Sequence, residues 1–115
     1  MLDACLNPEL AAEITCQPVR RHGVDAAVFF SDIMIPLALA GVEVTITAGV
    51  GPVFEQPVNS VTEVNRLVER RILDASAVEK AVALAVAELG EDTPVIGFAG
   101  APFTLAAYMV CLLYT

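Results

Sequence analysis

The 115-residue sequence has few basic residues, no tryptophan and a single histidine. Six Lys and Arg residues stand against 14 Asp and Glu residues, which gives a formal net charge of −8. A strongly acidic balance disfavours binding to the phosphates of nucleic acids and to anionic membrane surfaces. We therefore expect neither nucleic acid nor a membrane among the partners of this chain.

Cysteine is also scarce, and several short motifs are missing. Cys5, Cys16 and Cys111 form no Cys-x-x-Cys pair, so the sequence predicts no metal site and no redox pair, only reduced thiols in a cytoplasmic protein. The glycines of residues 49–52 lack the Lys-Ser/Thr of a phosphate loop and indicate a turn. The N-terminus does not resemble a signal peptide. The apolar stretch 101–113 is shorter than the about 20 residues that span a bilayer.

Hydrophobic residues make up 57% of the chain, and its mean hydropathy is +0.69. Small domains have proportionally more surface to cover with polar groups, so this composition is typical of the interior of a larger protein. We expect residues 1–115 to form a single, incomplete domain.

An apolar run at residues 26–30 is the clearest strand signal. It lies between Gly23 and Pro36 and contains β-branched and aromatic residues, which predicts a fully buried parallel strand. Ser31 and Asp32 follow directly, at the carboxyl end where α/β sheets and barrels place their sites. The residues alone leave open whether Asp32 belongs to such a site or is the N-cap of a helix near Pro36.

Helix signals precede and follow this strand. Asn7 before Pro8 predicts a helix start, and the helix is expected to end at Gly23, which explains His22 as a last-turn residue rather than a catalytic base. Later in the chain, two capping boxes predict further helices, at Ser60-x-x-Glu63 and Ser76-x-x-Glu79. Charged residues of the first of these are expected to form a solvated outer face: Arg66, Glu69, Arg70 and Arg71.

Two more strands complete the pattern. Residues 42–47 alternate as in a half-exposed strand, and the segment 93–104 begins as a second buried strand before Pro102 starts a helix. Gly97 and Gly100 in this segment fit either a close approach to a ligand or tight strand-to-helix packing. The order of elements predicts an α/β fold with a parallel sheet.

These residues also resemble a known family. The matching segments, in family order, are Pro8 to Arg21, Phe29-Phe30-Ser31-Asp32-Ile33 with Pro36, Gly49-x-Gly51-Pro52, and Gly97-Phe98-Ala99-Gly100-Ala101-Pro102-Phe103-Thr104-Leu105 with Tyr108. On these segments the sequence resembles the uroporphyrinogen decarboxylases. The resemblance implies a partial (β/α)8 TIM barrel with parallel strands and outer helices. It implies a cytoplasmic homodimer that uses neither metal nor organic cofactor.

The resemblance also implies a reaction and the residues that serve it. The family removes the carboxyl groups of four acetate side chains of uroporphyrinogen III, giving coproporphyrinogen III and carbon dioxide in haem biosynthesis. Asp32 matches the family's central aspartate, which accepts hydrogen bonds from the pyrrole NH groups, and is the expected catalytic residue. Tyr108 matches the tyrosine beside the reacting acetate. Phe30 and Phe98 match apolar walls of the cleft.

Several family features are absent from the sequence. The family carries an Arg-Gln-Ala-Gly-Arg segment before the matched region, and a serine and a histidine in later strands. Residues 111–115 also depart from the family's acid and glycines. We therefore expect an N-terminal-half fragment that is inactive by itself.

Two alternatives remain. Related barrels of the same superfamily are corrinoid-dependent methyltransferases that use zinc, and they should lack the Arg-Gln-Ala-Gly-Arg segment. A non-catalytic α/β binding module is the other alternative, and it predicts a soluble chain that melts cooperatively. An open piece of barrel should instead expose unpaired strand edges and aggregate.

Overall fold

The structure, a computed structural model, describes residues 1–72 and 74–110. Predictions for Cys111, Leu112 and the rest of 111–115 lie outside the described residues. In chain order the elements are α1 Leu2–Cys5, α2 Pro8–His22, β1 Ala27–Val28, α3 Ile35–Leu39, β2 Val44–Thr47, β3 Gly51–Phe54, α4 Val61–Val68, α5 Ser76–Leu89, β4 Val95–Ile96 and α6 Pro102–Met109. No helix within these ranges is long and apolar enough to cross a membrane.

The chain divides into two compact units. The first combines Met1–Asp32 with Ala75–Phe98, and the second combines Ile33–Asp74 with the described part of 99–115. The first unit contains α1, α2, α5 and the parallel strands β1 and β4. The second contains α3, the β2–β3 hairpin, α4 and α6.

Helix α2 has the ends that its sequence predicts. The Asn7 side-chain oxygen accepts a hydrogen bond from the Leu10 backbone N–H at 3.0 Å, which satisfies one of the free donors of the first turn. Gly23 ends the helix at φ 62°, a left-handed conformation that glycine adopts without strain. His22 is the exposed last residue of the helix, so its predicted position is confirmed.

Helix α2 packs against α5 through small side chains. Ala12, Cys16 and Ala85 form one buried cluster of the first unit, and all three side chains are at most 4% exposed. Ala11, Phe29 and Ala81 form a second cluster, which joins both helices to the end of β1. Alanine and cysteine at these positions let the two helix backbones approach closely.

Strands β1 and β4 are parallel, with Ala27 opposite Val95 and Val28 opposite Ile96. The ladder continues past β1, because the Phe29 backbone N–H donates to the Ile96 carbonyl oxygen at 2.9 Å. The predicted α/β fold with parallel strands is thereby confirmed.

The prediction that these strands are buried along their whole length is wrong. Ala27 and Phe29 are buried at 1% and 6% exposure, but Val28 is 62% exposed and Ile96 is 49% exposed. Within this unit α2 and α5 cover one face of the two-stranded sheet, and Phe98 on the chain after β4 is 51% exposed. The sheet therefore carries an uncovered apolar face, defined here by Val28, Ile96 and Phe98.

The second unit contains an antiparallel hairpin. Strands β2 and β3 pair with Val44 opposite Phe54 and Thr47 opposite Gly51, and the alternating exposure predicted for β2 is confirmed. The predicted turn is wrong in part, because Gly49 lies in it but Gly51 and Pro52 belong to β3. Pairing with β2 extends the strand through these two residues.

Helix α4 begins with the predicted capping box. The Ser60 side-chain oxygen accepts from the Glu63 backbone N–H at 3.3 Å, and the Glu63 carboxylate accepts from the Asn59 backbone N–H at 2.9 Å. The hydrogen bond from the Asn59 N–H, and after it the one that the Ser60 hydroxyl donates to the carboxylate at 3.0 Å, hold the pKa of Glu63 below its ordinary value. Arg66, Glu69, Arg70 and Arg71 are exposed, as predicted.

We expect Ser60→Ala to lower the free energy of unfolding by about 1 kcal/mol, because one donor at the start of α4 loses its partner. Thr62→Ala, on the first turn of the same helix, is the control and should change stability by less than half as much. Urea titrations of both variants measure the difference. Equal losses would contradict a capping role for Ser60.

The second predicted capping box is wrong, because Ser76 is not the N-cap of its helix. Helix α5 begins at Ser76 itself, and the N-cap position is taken by Ala75, whose side chain makes no capping hydrogen bond. The buried residues of α5 are Ala81 and Ala85.

Candidate active site

Asp32 lies where the chain leaves the parallel sheet. It follows β1 by four residues and is half-buried at the end of the first stretch of the first unit. The N-cap position of α3 is occupied by Met34, with no side-chain capping hydrogen bond. Asp32 is therefore not the N-cap of the helix near Pro36, and that alternative is excluded.

The carboxylate of Asp32 acts electrostatically on the thiol of Cys5. Cys5, the last residue of α1, is 1% exposed. Burial, and after it the negative charge of Asp32, raise the pKa of the Cys5 thiol above its ordinary value of 9.0. The thiol is consequently protonated at neutral pH and carries no charge that would repel the carboxylate.

Phe30 and Phe98 occupy equivalent places just after neighbouring strands. Each follows by two residues a member of the register pair Val28 and Ile96. Phe30 is half-buried and packs against the cluster that contains Ala11, whereas Phe98 is 51% exposed. The first unit thus brings Phe30, Asp32 and Phe98 to the same end of its parallel sheet.

Tyr108 belongs to the second unit. It lies half-buried on α6, one residue before the helix ends. The Met109 carbonyl oxygen beside it accepts a hydrogen bond from the Val58 backbone N–H at 2.9 Å. This contact ties the end of α6 to the segment that follows the hairpin.

Thr15 is a residue of this region that the sequence did not single out. It is the buried polar residue of the described chain, at 1% exposure. Its hydroxyl donates to the Ala11 carbonyl oxygen at 2.7 Å and accepts from the Phe30 backbone N–H at 2.9 Å. The only feature of the sequence that could have indicated this role is a hydroxyl on the buried, otherwise apolar face of the helix.

Comparison with known proteins assigns the family. A profile described as Uroporphyrinogen decarboxylase (URO-D) matches residues 1–111. The chain belongs to the uroporphyrinogen decarboxylase family. A protein named uroporphyrinogen decarboxylase from Arthrobacter sp. (strain FB24) is 63% identical over 110 residues, covering 96% of this chain and 32% of that protein. A protein of the same name from Nocardia farcinica is 57% identical, covering 96% of this chain and 31% of that protein.

The fold of this chain is also found among solved structures. A methyltransferase from Methanosarcina mazei superposes with a TM-score of 0.70 at 22% sequence identity, covering 96% of this chain and 34% of that chain. At this identity the likeness concerns the fold. The present chain thus spans about a third of the length of the uroporphyrinogen decarboxylases that it matches.

The family segment Gly97 to Pro102 contains two glycines with different surroundings. A Cβ atom on Gly100 would lie 3.0 Å from Leu105 Cδ2 and 3.1 Å from Ile33 Cβ, whereas one on Gly97 would meet nothing within 4 Å. Gly100 is therefore explained by tight packing in the second unit, against the residue that follows Asp32 in the chain.

We expect Gly100→Ala to destabilise the chain by about 1–2 kcal/mol, because Ile33 Cβ is fixed to the backbone and cannot move aside cheaply. Gly97→Ala is the matched control and should be neutral or slightly stabilising. Urea unfolding followed by circular dichroism compares the two. A neutral Gly100→Ala would show that the packing is loose.

A cavity of about 280 Å³ lies in the second unit, beside the hairpin and α4. Its lining includes Glu43, Arg66 and Arg70, and the Arg70 guanidinium donates to the Gly41 carbonyl oxygen. None of the residues that match the uroporphyrinogen decarboxylase site lines it. Within residues 1–72 and 74–110, no cluster of His, Cys, Asp and Glu suited to a metal ion is found.

Proposed function

We propose that residues 1–115 supply the N-terminal portion of a (β/α)8 uroporphyrinogen decarboxylase, a cytoplasmic homodimer acting without metal or organic cofactor. The whole enzyme removes the carboxyl groups of four acetate side chains of uroporphyrinogen III, giving coproporphyrinogen III and carbon dioxide in porphyrin biosynthesis. The observation that carries this proposal is 63% identity over 110 residues to a protein named uroporphyrinogen decarboxylase. In this proposal the chain is a single, incomplete domain of that barrel.

The chemistry requires an electron sink. Protonation of a pyrrole carbon makes the ring cationic, and the ring then accepts the electron pair that the departing carbon dioxide leaves behind. A fixed carboxylate stabilises that cation. In a site that excludes water, one such electrostatic contact contributes about 3 kcal/mol or more to the transition state.

Asp32 is the residue proposed to supply this carboxylate. It is half-buried, follows a parallel strand and does not occupy the N-cap position of α3. A carboxylate removed from water needs hydrogen-bond donors, and the converging pyrrole NH groups of the substrate provide them. Because the Cys5 thiol is protonated at neutral pH, it adds no second negative charge to the electrostatic surroundings of Asp32.

The proposed cleft also uses three aromatic residues. Phe30 and Phe98 form apolar walls, and both lie at the carboxyl end of the parallel strands together with Asp32. Apolar walls exclude water and so strengthen the interaction between the carboxylate and the cation. Tyr108 is proposed to lie beside the reacting acetate.

The charge of the chain supports the proposal that it is inactive alone. The substrate carries many carboxylates, but this chain has a net charge of −8. Arg20 is paired with Glu88 at 3.1 Å, and Arg66, Arg70 and Arg71 are exposed on α4 or directly after it. The cations that hold the substrate side chains are therefore proposed to come from the remaining two thirds of the enzyme.

A chimaera tests this function. In the chimaera the 110 matched residues of this chain replace their counterparts in the Arthrobacter protein. We expect the chimaera to convert uroporphyrinogen III stepwise to coproporphyrinogen III, as followed by chromatography of the oxidised porphyrins. The 115-residue chain alone should give no product.

Each other outcome contradicts part of the proposal. A folded but inactive chimaera would refute the decarboxylase assignment and favour the methyltransferase branch or the non-catalytic binding module. Activity of the short chain alone would refute the need for the other barrel strands. The likeness to the methyltransferase concerns the fold and not particular side chains. No residue described above therefore favours methyl transfer over decarboxylation.

A further inference from the structure

The hydroxyl of Thr15 makes two hydrogen bonds in the interior of the first unit. It donates to Ala11 on its own helix and accepts from the Phe30 backbone N–H. The bond to Ala11 alone would satisfy the hydroxyl, as it does for threonine in many helices. The bond to Phe30 therefore serves the strand rather than the helix.

Phe29 makes the last hydrogen bond of the β1 ladder. The backbone N–H groups of Ala27 and Phe29 donate to the segment containing β4, at 2.9 Å each. The N–H of the next residue, Phe30, donates to Thr15, which lies on α2. A buried N–H without a partner is costly, so Thr15 fixes the direction in which the chain leaves the sheet.

The packing of helix α2 holds Thr15 in a fixed position. Cys16, the next residue, is fully buried against Ala85 of α5, with its sulfur 4.0 Å from the Ala85 carbonyl oxygen. The hydrogen bond from Phe30 to Thr15 thus ties the end of β1 to a packed helix pair. Asp32 stands two residues beyond the anchored amide, with Ser31 between them.

We propose that Thr15 is a positioning residue that sets the place of the Asp32 carboxylate through the Phe30 amide. This inference rests on the proposed function of Asp32. Thr15 itself is buried behind the strand and does not touch the substrate. Its contribution should therefore appear in kcat more than in KM, because a small misplacement of a catalytic group slows the chemical step.

The test compares side chains at position 15 in the chimaera. Thr15→Val keeps the shape but removes the acceptor, and we expect kcat to fall by about 10- to 100-fold with a smaller change in KM. Thr15→Ser keeps the hydroxyl and should recover most of the activity. Arg21→Ala, at an exposed position of the same helix, is the control and should leave kcat unchanged.

A second measurement reads the position directly. Hydrogen exchange should become faster at the amides of residues 30–32 in Thr15→Val, but not at Ala27. If Thr15→Val does not fold, Thr15→Ala and Thr15→Ser form a pair that differs by one oxygen atom, and only the serine variant should retain kcat.

The outcomes separate the two proposals. An active chimaera whose kcat and exchange are unchanged by Thr15→Val would overturn the positioning role, as would equal loss of kcat in Thr15→Ser and Thr15→Ala. An inactive parent chimaera would refute the proposed function instead. Exchange at residues 30–32 would then still decide whether Thr15 fixes the chain at Asp32.

Discussion

Asp32→Asn in the chimaera is expected to lower kcat by about 100-fold or more, because the amide has nearly the shape of the carboxylate but none of its charge. The ring cation would then form without its stabilising partner. KM should change less, since the amide oxygen still accepts hydrogen bonds from the pyrrole NH groups. Chromatography of the oxidised porphyrins, with substrate concentration varied, gives kcat and KM separately.

Asp25→Asn is the matched control for this loss. Asp25 is exposed just before β1. Asp25→Asn therefore removes the same charge as Asp32→Asn, but at a residue without the proposed contact to the substrate. The kcat of Asp25→Asn should stay within a factor of about two of that of the parent chimaera. This change is far below the effect of losing an electrostatic contact in the transition state. Similar losses in both variants would show that overall charge, rather than Asp32, controls the rate.

Ala85→Leu is expected to lower the free energy of unfolding of the chain by about 2–3 kcal/mol. Ala85 is fully buried where α5 meets α2, in the cluster that it forms with Ala12 and Cys16. A larger side chain there must push the two helices apart. Because both helices also pack against the strand through Ala11, Phe29 and Ala81, the separation would loosen the end of β1 as well.

Ala83→Leu provides the control on the same helix. Ala83 is exposed, so leucine at this position should change stability by no more than about 0.5 kcal/mol. Urea unfolding monitored by circular dichroism measures both variants. A loss below about 1 kcal/mol for Ala85→Leu would mean that the helix pair repacks easily, in contradiction to the tight interface.

Local signals in the sequence predicted the elements whose ends depend on neighbouring residues. Asn7 and Gly23 fixed the two ends of α2, because capping needs partners only a few residues away. Ser60 capped α4 because its backbone is extended, at φ −140° and ψ 155°. The same motif failed at Ser76, where the chain already enters the helix with Ala75 as N-cap.

Burial was less predictable because it depends on partners distant in sequence. The apolar run at residues 26–30 marked β1 correctly, but nothing in it showed that Val28 would be exposed while Phe29 was buried. The bond between Thr15 and Phe30 joins residues 15 apart and exists only once α2 has packed on the strand.

The candidate site was placed by its motif. The prediction put Asp32 after a parallel strand, and the structure has it there, outside the cap of α3. The catalytic role of Asp32 and the roles of Tyr108, Phe30 and Phe98 stay predictions. They depend on the substrate and on residues outside this chain, and kinetics of the chimaera will decide them.

The first unit is assembled from two separate stretches of chain, with Ile33–Asp74 inserted between them. Closing a flexible loop costs entropy that grows only with the logarithm of its length, so doubling the insert would cost about 0.6 kcal/mol. Evolution can therefore lengthen or replace this insert with little effect on the unit that carries it. Since the insert starts at the residue after Asp32, such changes would alter the chain next to the proposed catalytic carboxylate while leaving its scaffold intact.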